Sequence, residues 1–352
     1  MSKILFIVDE WPFPARNGIT IPVSNYINYL SLENDIVILL LSKDGELPSD
    51  TKGFNVISLK KEGSKFSIFK ELFFIRPNFL HNINEVDLIR SFKKHKFDYL
   101  ISSPISCIAV AIKLKNILYK DSNNSPKLIA AISDAYSLVL EKSFSKQQGI
   151  SLRNFVKYIR SYQMRVFEHQ LLKKADKVYV QSSNDARRIA FLSKKLVSKV
   201  SILHNGVDDV LLSNKVIEFK DYTEIRFLFC GSQTSLGHYE SQILEFYANV
   251  WLKVRSEGKV LVIKGGGINL DLKQFQALKH DDSVVFDNKF YDDVSDIYSE
   301  RHCLIAPIYK GYGFINKVAE AMACGLLVIG DKTAFNGMES FENYNHGIIA
   351  NN

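Results

Sequence analysis

Apolar runs bounded by polar residues recur along the chain at regular spacing. Up to Gly206 they read KILFIVD from Lys3, DIVILLLS from Asp35, FNVISL from Phe54, FDYLIS from Phe97, KLIAAIS from Lys127, KVYVQS from Lys177 and KVSILHNG from Lys199. Between most of them lie stretches with helical spacing, such as SNYINYLSLE and the long basic segment 151–175. Short buried strands alternating with helices predict a parallel sheet. After Gly206 the alternation restarts with IRFLFCG, KVLVIKGG, SVVFDN, HCLIAPI and GLLVIGD, with helices expected near 238–256, 270–280, 291–300 and 314–324. The pattern predicts two doubly wound α/β domains in tandem, 1–212 and 213–352, with the polar stretch NKVIEFKDYTE as the linker. In such sheets ligands bind beyond the carboxyl ends of the strands. Two of them facing each other would make a cleft suited to a large two-part substrate.

Composition narrows the class. With 352 residues, 46% of them hydrophobic and 24% charged, the chain is that of a globular protein and neither disordered nor low-complexity. Four cysteines stand far apart with no C-x-x-C among them, which argues against a zinc site or a disulfide framework and fits a reducing compartment. No segment offers the ~18 uninterrupted apolar residues of a membrane span, and the opening MSKILFIVDEWP reads as a strand rather than a signal peptide. The expected location is cytoplasmic. The net charge of +7 is unevenly divided: residues 1–210 carry 31 Lys and Arg against 20 Asp and Glu, and the remainder carries 14 against 18. A basic first half suggests an anionic partner: nucleic acid, an anionic membrane surface or a phosphorylated substrate.

Several chemistries are disfavoured by missing patterns. There is no G-x-x-x-x-G-K-[ST], no G-x-G-x-x-G after the first strand, no G-x-S-x-G and no H-E-x-x-H. No two aspartates stand two residues apart, so the D-x-D clamp that holds a diphosphate through a divalent ion is missing. A bound diphosphate would be neutralised by cationic side chains and helix N-termini, without a metal.

The stretch 305–330, IAPIYKGYGFINKVAEAMACGLLVIG, carries the most chemistry. A strand ends at Pro307, a loop with Gly311 and Gly313 leads into a helix, and Gly325 stops that helix before the next strand. Phosphate favours such a loop-to-helix junction, where unsatisfied N–H groups and the helix dipole point at it. Lys317 falls in the first turn, where a cation opposes the dipole; an anion at the same spot resolves the conflict. Glu320 follows about one turn on, and its carboxylate suits both hydroxyls of a ribose.

GYGFINKVAEAMACGLLVIG resembles the C-terminal motif of retaining GT-B glycosyltransferases (the group 1, family 4-like enzymes), in the branch reading G-x-G-x-x-N-K-x-x-E-A-M-A-x-G. The resemblance implies that Glu320 binds the nucleotide ribose, that Gly313, Phe314, Ile315 and Asn316 form the loop around the diphosphate and sugar, and that Lys317 is the phosphate cation. KILFIVDEWPFPARNGITIPVSNYINYL is similar to the family's opening strand, loop and helix, which would bring Asn17 and Gly18 to donor phosphate and acceptor. Gly231, ending LFCGS, matches the first strand of the nucleotide-binding domain. Lys264, before Gly265-Gly266-Gly267, is a second phosphate-side cation or a plain turn lysine. KVYVQSSNDARRIAF and ILHNGVDD resemble the family's last strands of the first domain: Ser182 begins an S-x-x-[DE] helix cap, and Asn205-Gly206-Val207-Asp208 closes the domain. The family places an Asp or His where Asp134 follows KLIAAIS, beside the reacting sugar; the same residue suits a helix N-cap. Glu168 matches a recurrent structural Glu.

The chain departs from the family pattern in places. The usual Arg and Lys after the first strand of the second domain have no match in GSQTSLGHYESQ, where Gln233 and His238 stand, and Tyr312 occupies the position of a common Glu. Residues 60–76, KKEGSKFSIFKELFFIR, mix cations with Phe66, Phe69, Phe73 and Phe74, which suits either a basic amphipathic segment on an anionic membrane or a core segment with solvated lysines. Lys93, Lys94, Lys96, Lys113 and Lys115 would extend that basic surface. The resemblance thus implies a metal-independent, retaining transferase. It would move a sugar from a nucleotide-diphosphate sugar to a glycan or lipid-linked glycan acceptor, in capsule, O-antigen or exopolysaccharide assembly, peripherally on the inner face of the plasma membrane. No separate cofactor is expected and no nucleic-acid partner. A catalytically silent scaffold and a basic nucleic-acid-binding protein are the rival readings.

Overall fold

The computed structural model describes residues 1–15, 18–61, 83–120, 122, 124–142, 152–212, 223–231, 238–265, 271–289, 291, 293–299, 303–308, 313–338 and 345–350. The chain forms two compact units, Met1–His204 and Asn205–Asn352. The basic Phe-rich stretch falls almost wholly in 62–82, and Asn17, Gln233 and Tyr312 also lie outside the described residues.

The first unit is built on a seven-stranded sheet: β1 (Lys3–Val8), β2 (Asp35–Ser42), β3 (Asn55–Lys60), β4 (Tyr99–Ser102), β5 (Lys127–Ala131), β6 (Lys177–Val180) and β7 (Val200–Ile202), ordered β3-β2-β1-β4-β5-β6-β7. Every pairing is parallel. The continuous apolar runs follow from burial on both faces. Leu5 and Ile7 join one core with Val37, Leu39 and Leu41, while Ile4, Phe6 and Val8 join the other with Ile36, Ile38 and Leu40. A one-residue slip of β1 against β2 would exchange the two sets. Helix Thr20–Ser31 closes the second face through Val23 and Ile27, and helices Glu85–Phe92, Ile108–Tyr119 and Leu152–Leu172 close the first.

The second unit repeats the plan with β8 (Ile225–Cys230), β9 (Lys259–Lys264), β10 (Val284–Asp287), β11 (Cys303–Ala306), β12 (Leu327–Gly330) and β13 (Ile348–Ile349), all parallel in the order β10-β9-β8-β11-β12-β13. Phe229, Leu261, Ile263 and Ile305 pack with Trp251 and Phe275 on one face; Leu228, Cys230, Leu304 and Ala306 pack with Val318 on the other. In both sheets the strand order reverses beside the first strand of the unit, β1 against β4 and β8 against β11. That is where doubly wound sheets open a crevice for a ligand.

Two features depart from the sequence pattern. The expected boundary at 212/213 falls at 204/205, because helix Asp209–Leu212 contributes Leu211, 1% exposed, to the second core, and Val207 packs beside it. Asn205-Gly206-Val207-Asp208 therefore opens the second unit instead of closing the first. The helix from His238 also contains a π-helical turn, Tyr247–Trp251, that the spacing does not signal. Among the described residues no helix is long and apolar enough to cross a membrane.

Candidate active site

In the second unit, Gly231, Lys264, Lys317 and Glu320 gather at the carboxyl ends of β8 and β9, and the 313–316 loop leads into the helix that carries the last two. Gly313 takes φ 69°, a left-handed conformation that only glycine holds without strain, and turns the chain into helix Asn316–Ala323. Ile315 precedes that helix and accepts from the Val318 N–H at 3.0 Å. Ile315 is anchored in the core; Phe314 is half-buried. Asn316 accepts through Oδ1 from Asn205 Nδ2 at 2.8 Å, which ties the helix start to the segment opening the unit. The Lys317 ammonium turns back to donate to the Cys230 carbonyl at 3.0 Å and lies 5.5 Å from the Phe229 ring centroid. Lys317 therefore stands at the end of β8 beside Gly231, at the strand-order reversal.

Lys264 ends β9 and is 4% exposed; its Nζ donates to the Asp296 carbonyl at 2.5 Å and sits 4.8 Å from the centre of the Tyr291 ring. It is tied to the first turn of helix Ser295–Tyr298. Its own carbonyl accepts from Gly231 N–H at 3.1 Å. The next residue, Gly265, has φ +143° and packs so tightly on Gly231 that a Cβ there would lie 2.0 Å from the Gly231 oxygen.

Glu320 accepts from the Tyr298 hydroxyl at 2.6 Å. Burial pushes its carboxyl above the ordinary range, against the opposing effects of that hydroxyl and of Lys317. The hydroxyl holds one carboxylate oxygen, Oε2. Tyr298 has no sequence signal; it lies in a four-residue helix far from the motif. Cys230 is where these groups meet. Burial pushes its thiol up to about 11, and Lys317, Glu320 and Lys264 all act on its charge. The cluster thus gathers Lys317, the Gly313 junction and an oriented carboxylate at the end of β8, with the buried Lys264 at the end of the neighbouring β9.

In the first unit, Asp134 follows β5 and is half-buried. Burial, then the charge of Asp185, raise its carboxyl to about 7. It is not the cap of the helix that follows, Tyr136–Lys142. The Ala135 N–H donates to Asp185 Oδ1 at 2.9 Å and the Ser137 N–H to Glu168 Oε1 at 3.0 Å, so carboxylates from two other helices hold that turn. Ser182 caps helix Ser183–Leu192, accepting from Asp185 N–H at 3.2 Å. Glu168 is wholly buried, and burial raises it to about 7 despite the Ser137 donors and Arg188. A carboxyl raised in the folded state holds its proton where the unfolded chain has lost it, between about pH 4.5 and 7 for Glu168. Stability from this group is thus greatest at acid pH and is lost as pH rises through 7. The difference in melting temperature between pH 5.5 and pH 8 should therefore shrink in Glu168→Gln; an unchanged difference would show Glu168 ionised throughout. Gly18 lies in the exposed turn before helix Thr20–Ser31. At the strand-order reversal of this sheet the Ser106 hydroxyl donates to Asp9 Oδ2 at 2.7 Å, a pair that no sequence pattern singled out.

Residues 224–352 match the family model described as "Glycosyl transferases group 1". No curated protein sequence matches the chain. Among solved structures, the lipopolysaccharide outer core galactosyltransferase WaaB in its apo form superposes with a TM-score of 0.64 at 13% identity, covering 99% of this chain and 85% of its own. Anabaena Alr3699/HepE in complex with UDP and glucose gives 0.61 at 13% identity over 99% and 86%. Sucrose-phosphate synthase from Thermosynechococcus elongatus gives 0.63 at 14% identity over 95% and 82%. The chain has the two-domain, Rossmann-like GT-B fold, and the greater part of its second unit is similar to the group 1 glycosyl transferase model.

Proposed function

We propose that this protein is a retaining, metal-independent glycosyltransferase that moves a sugar from a nucleoside-diphosphate donor to a glycan acceptor. One observation carries the reading: Lys317 and the Tyr298-oriented Glu320 stand one turn apart at the strand end where the sheet reverses. There Glu320 takes the ribose hydroxyls. Lys317 and the N–H groups of the 313–317 junction take the diphosphate. Asp134 supplies negative charge to the anomeric carbon as the bond to the leaving phosphate lengthens, and a β-phosphate oxygen takes the acceptor proton. Anabaena HepE, crystallised with UDP and glucose, is a structural neighbour of the same fold.

A lipid-linked acceptor in surface polysaccharide assembly, with reversible docking on anionic lipid, suits the excess of cations in residues 1–210. Sedimentation with anionic but not neutral vesicles, weakening with salt, would support it; equal sedimentation with both would remove it.

The proposed activity is tested by following sugar release and transfer across a panel of nucleoside-diphosphate sugars in the presence of EDTA. Turnover persisting under chelation is expected. Turnover abolished by EDTA and restored by manganese or magnesium would overturn the metal-independent reading, and no turnover with any donor would favour a silent scaffold.

Glu320→Ala should weaken nucleoside-diphosphate binding by about 1–3 kcal/mol, the size of a hydrogen bond to a charged group. It also strands the Tyr298 hydroxyl, whose residue is 2% exposed, so some loss of stability is expected too. Glu320→Gln keeps an acceptor for Tyr298 and separates the two effects in a calorimetric titration. An unchanged dissociation constant in both variants would remove Glu320 from the site.

A further inference from the structure

We infer that Asp185 is a positioning residue for Asp134: it reaches across from its own helix to hold the turn that presents Asp134, and brings a second buried carboxylate to it. The inference rests on the transferase reading for its functional meaning, and on the geometry of the first unit for its physical content.

Asp185 lies in the first turn of helix Ser183–Leu192, far along the chain from Asp134, and is fully buried. Both of its oxygens are engaged. Oδ1 accepts from the backbone N–H of Ala135, the residue after Asp134, and Oδ2 accepts from the Ser182 hydroxyl. A capping-box acid usually turns back only to its own helix start. Here one oxygen reaches across to a second element and grips the peptide next to the candidate catalytic acid. The Ala135 carbonyl in turn begins helix Tyr136–Lys142, accepting from Leu138 N–H at 2.8 Å. The 134–137 turn is therefore held at Ala135 by Asp185 and at Ser137 by Glu168.

Other charged groups face the same turn. Glu168 comes from helix Leu152–Leu172, and Arg188 donates from Nε to Ser137 Oγ at 3.1 Å and pairs through Nη2 with Glu141 Oε2 at 2.5 Å. Arg188 is committed to Ser137 and Glu141, and it acts on Glu168. The charge felt by Asp134 is that of Asp185, which adds to burial in raising it. A buried like charge close by disfavours ionisation of its neighbour. One residue thus does two things, fixing where Asp134 points and delaying its ionisation towards neutral pH.

Asp185→Asn separates these roles. The amide oxygen can still accept from Ala135 N–H, and the amide nitrogen can donate to Ser182 Oγ, but the charge is gone. The carboxyl carbon of Asp134 is followed by NMR in the full-length chain, assigned by its disappearance in Asp134→Asn. Its midpoint should fall by about one pH unit in Asp185→Asn, the scale of a single close charge, and remain unmoved in Glu168→Gln. In the unmutated protein the Asp185 carboxyl signal should also inflect at the Asp134 midpoint, a coupling that needs no variant to fold. An unmoved midpoint, or no shared inflection, would overturn the inference. The transfer assay separates it from the functional reading: the acid limb of kcat should move down with the NMR midpoint. If the midpoint moves and the limb does not, Asp134 is not the charge used in transfer, while its control by Asp185 stands.

Discussion

Replacing Gly265 by alanine is expected to destabilise the second unit more than any other single methyl addition at its described glycines. The φ of +143° is outside the range that L-residues adopt comfortably, which costs about 1–3 kcal/mol. The added Cβ would also meet the Gly231 carbonyl oxygen at 2.0 Å, and overpacking of this kind costs about 1–3 kcal/mol more. The obstacle is backbone, so no rotamer change relieves it. Relief must come from separating the ends of β8 and β9, which are in register at Cys230 and Lys264. The Cys230 carbonyl that receives Lys317 would move with them. A lower denaturation midpoint and weaker nucleotide binding should therefore appear together. Gly53→Ala is the control, with φ +77° but open space around the new methyl; its cost should be strain alone. Equal midpoints for the two variants would mean that β8 and β9 part without penalty.

Asp134→Asn should lower transfer by about 10²–10³-fold, the usual effect of removing one group aimed at developing charge. Donor affinity should be unchanged, since the donor contacts proposed above are those of Glu320 and Lys317. The fold should survive, because the turn after Asp134 is held by Asp185 and Glu168 and not by Asp134 itself. The pH dependence has a definite sign. Burial and Asp185 raise the Asp134 carboxyl to about 7, so wild-type turnover is expected to rise through neutral pH and the variant to lose that limb. A variant with full turnover would strip Asp134 of its role.

Much of the architecture could be read from the chain because burial on both faces of a sheet leaves long uninterrupted apolar runs, and twelve such runs became strands β1 to β12. The thirteenth, Ile348–Ile349, is only two residues long and has no such signature; pairing with β12 alone makes it a strand. The motif around Lys317 and Glu320 was legible because loop, helix start and glycine stop are local. The partners that orient it were not. Tyr298 meets Glu320 from another element, and Asp185 meets Ala135 from fifty residues away. Contacts of that kind are made by the fold and leave no spacing in the chain. The domain boundary was misplaced for a related reason: the polar linker stands out in the sequence, but the packing of Val207 and Leu211 decides which core the preceding residues join.

That packing constrains how donor preference could be exchanged between relatives. A graft that took only residues from 213 onward would leave Leu211 behind, opening a hole in the incoming core, and would deprive Asn316 of the amide that Asn205 offers at 2.8 Å. The incoming helix would then begin with its first residue unmoored. A recombination joint between His204 and Asn205 carries the wedge and the tether along with the sheet they serve, so new nucleotide-sugar specificities should transplant at that peptide bond and fail eight residues later.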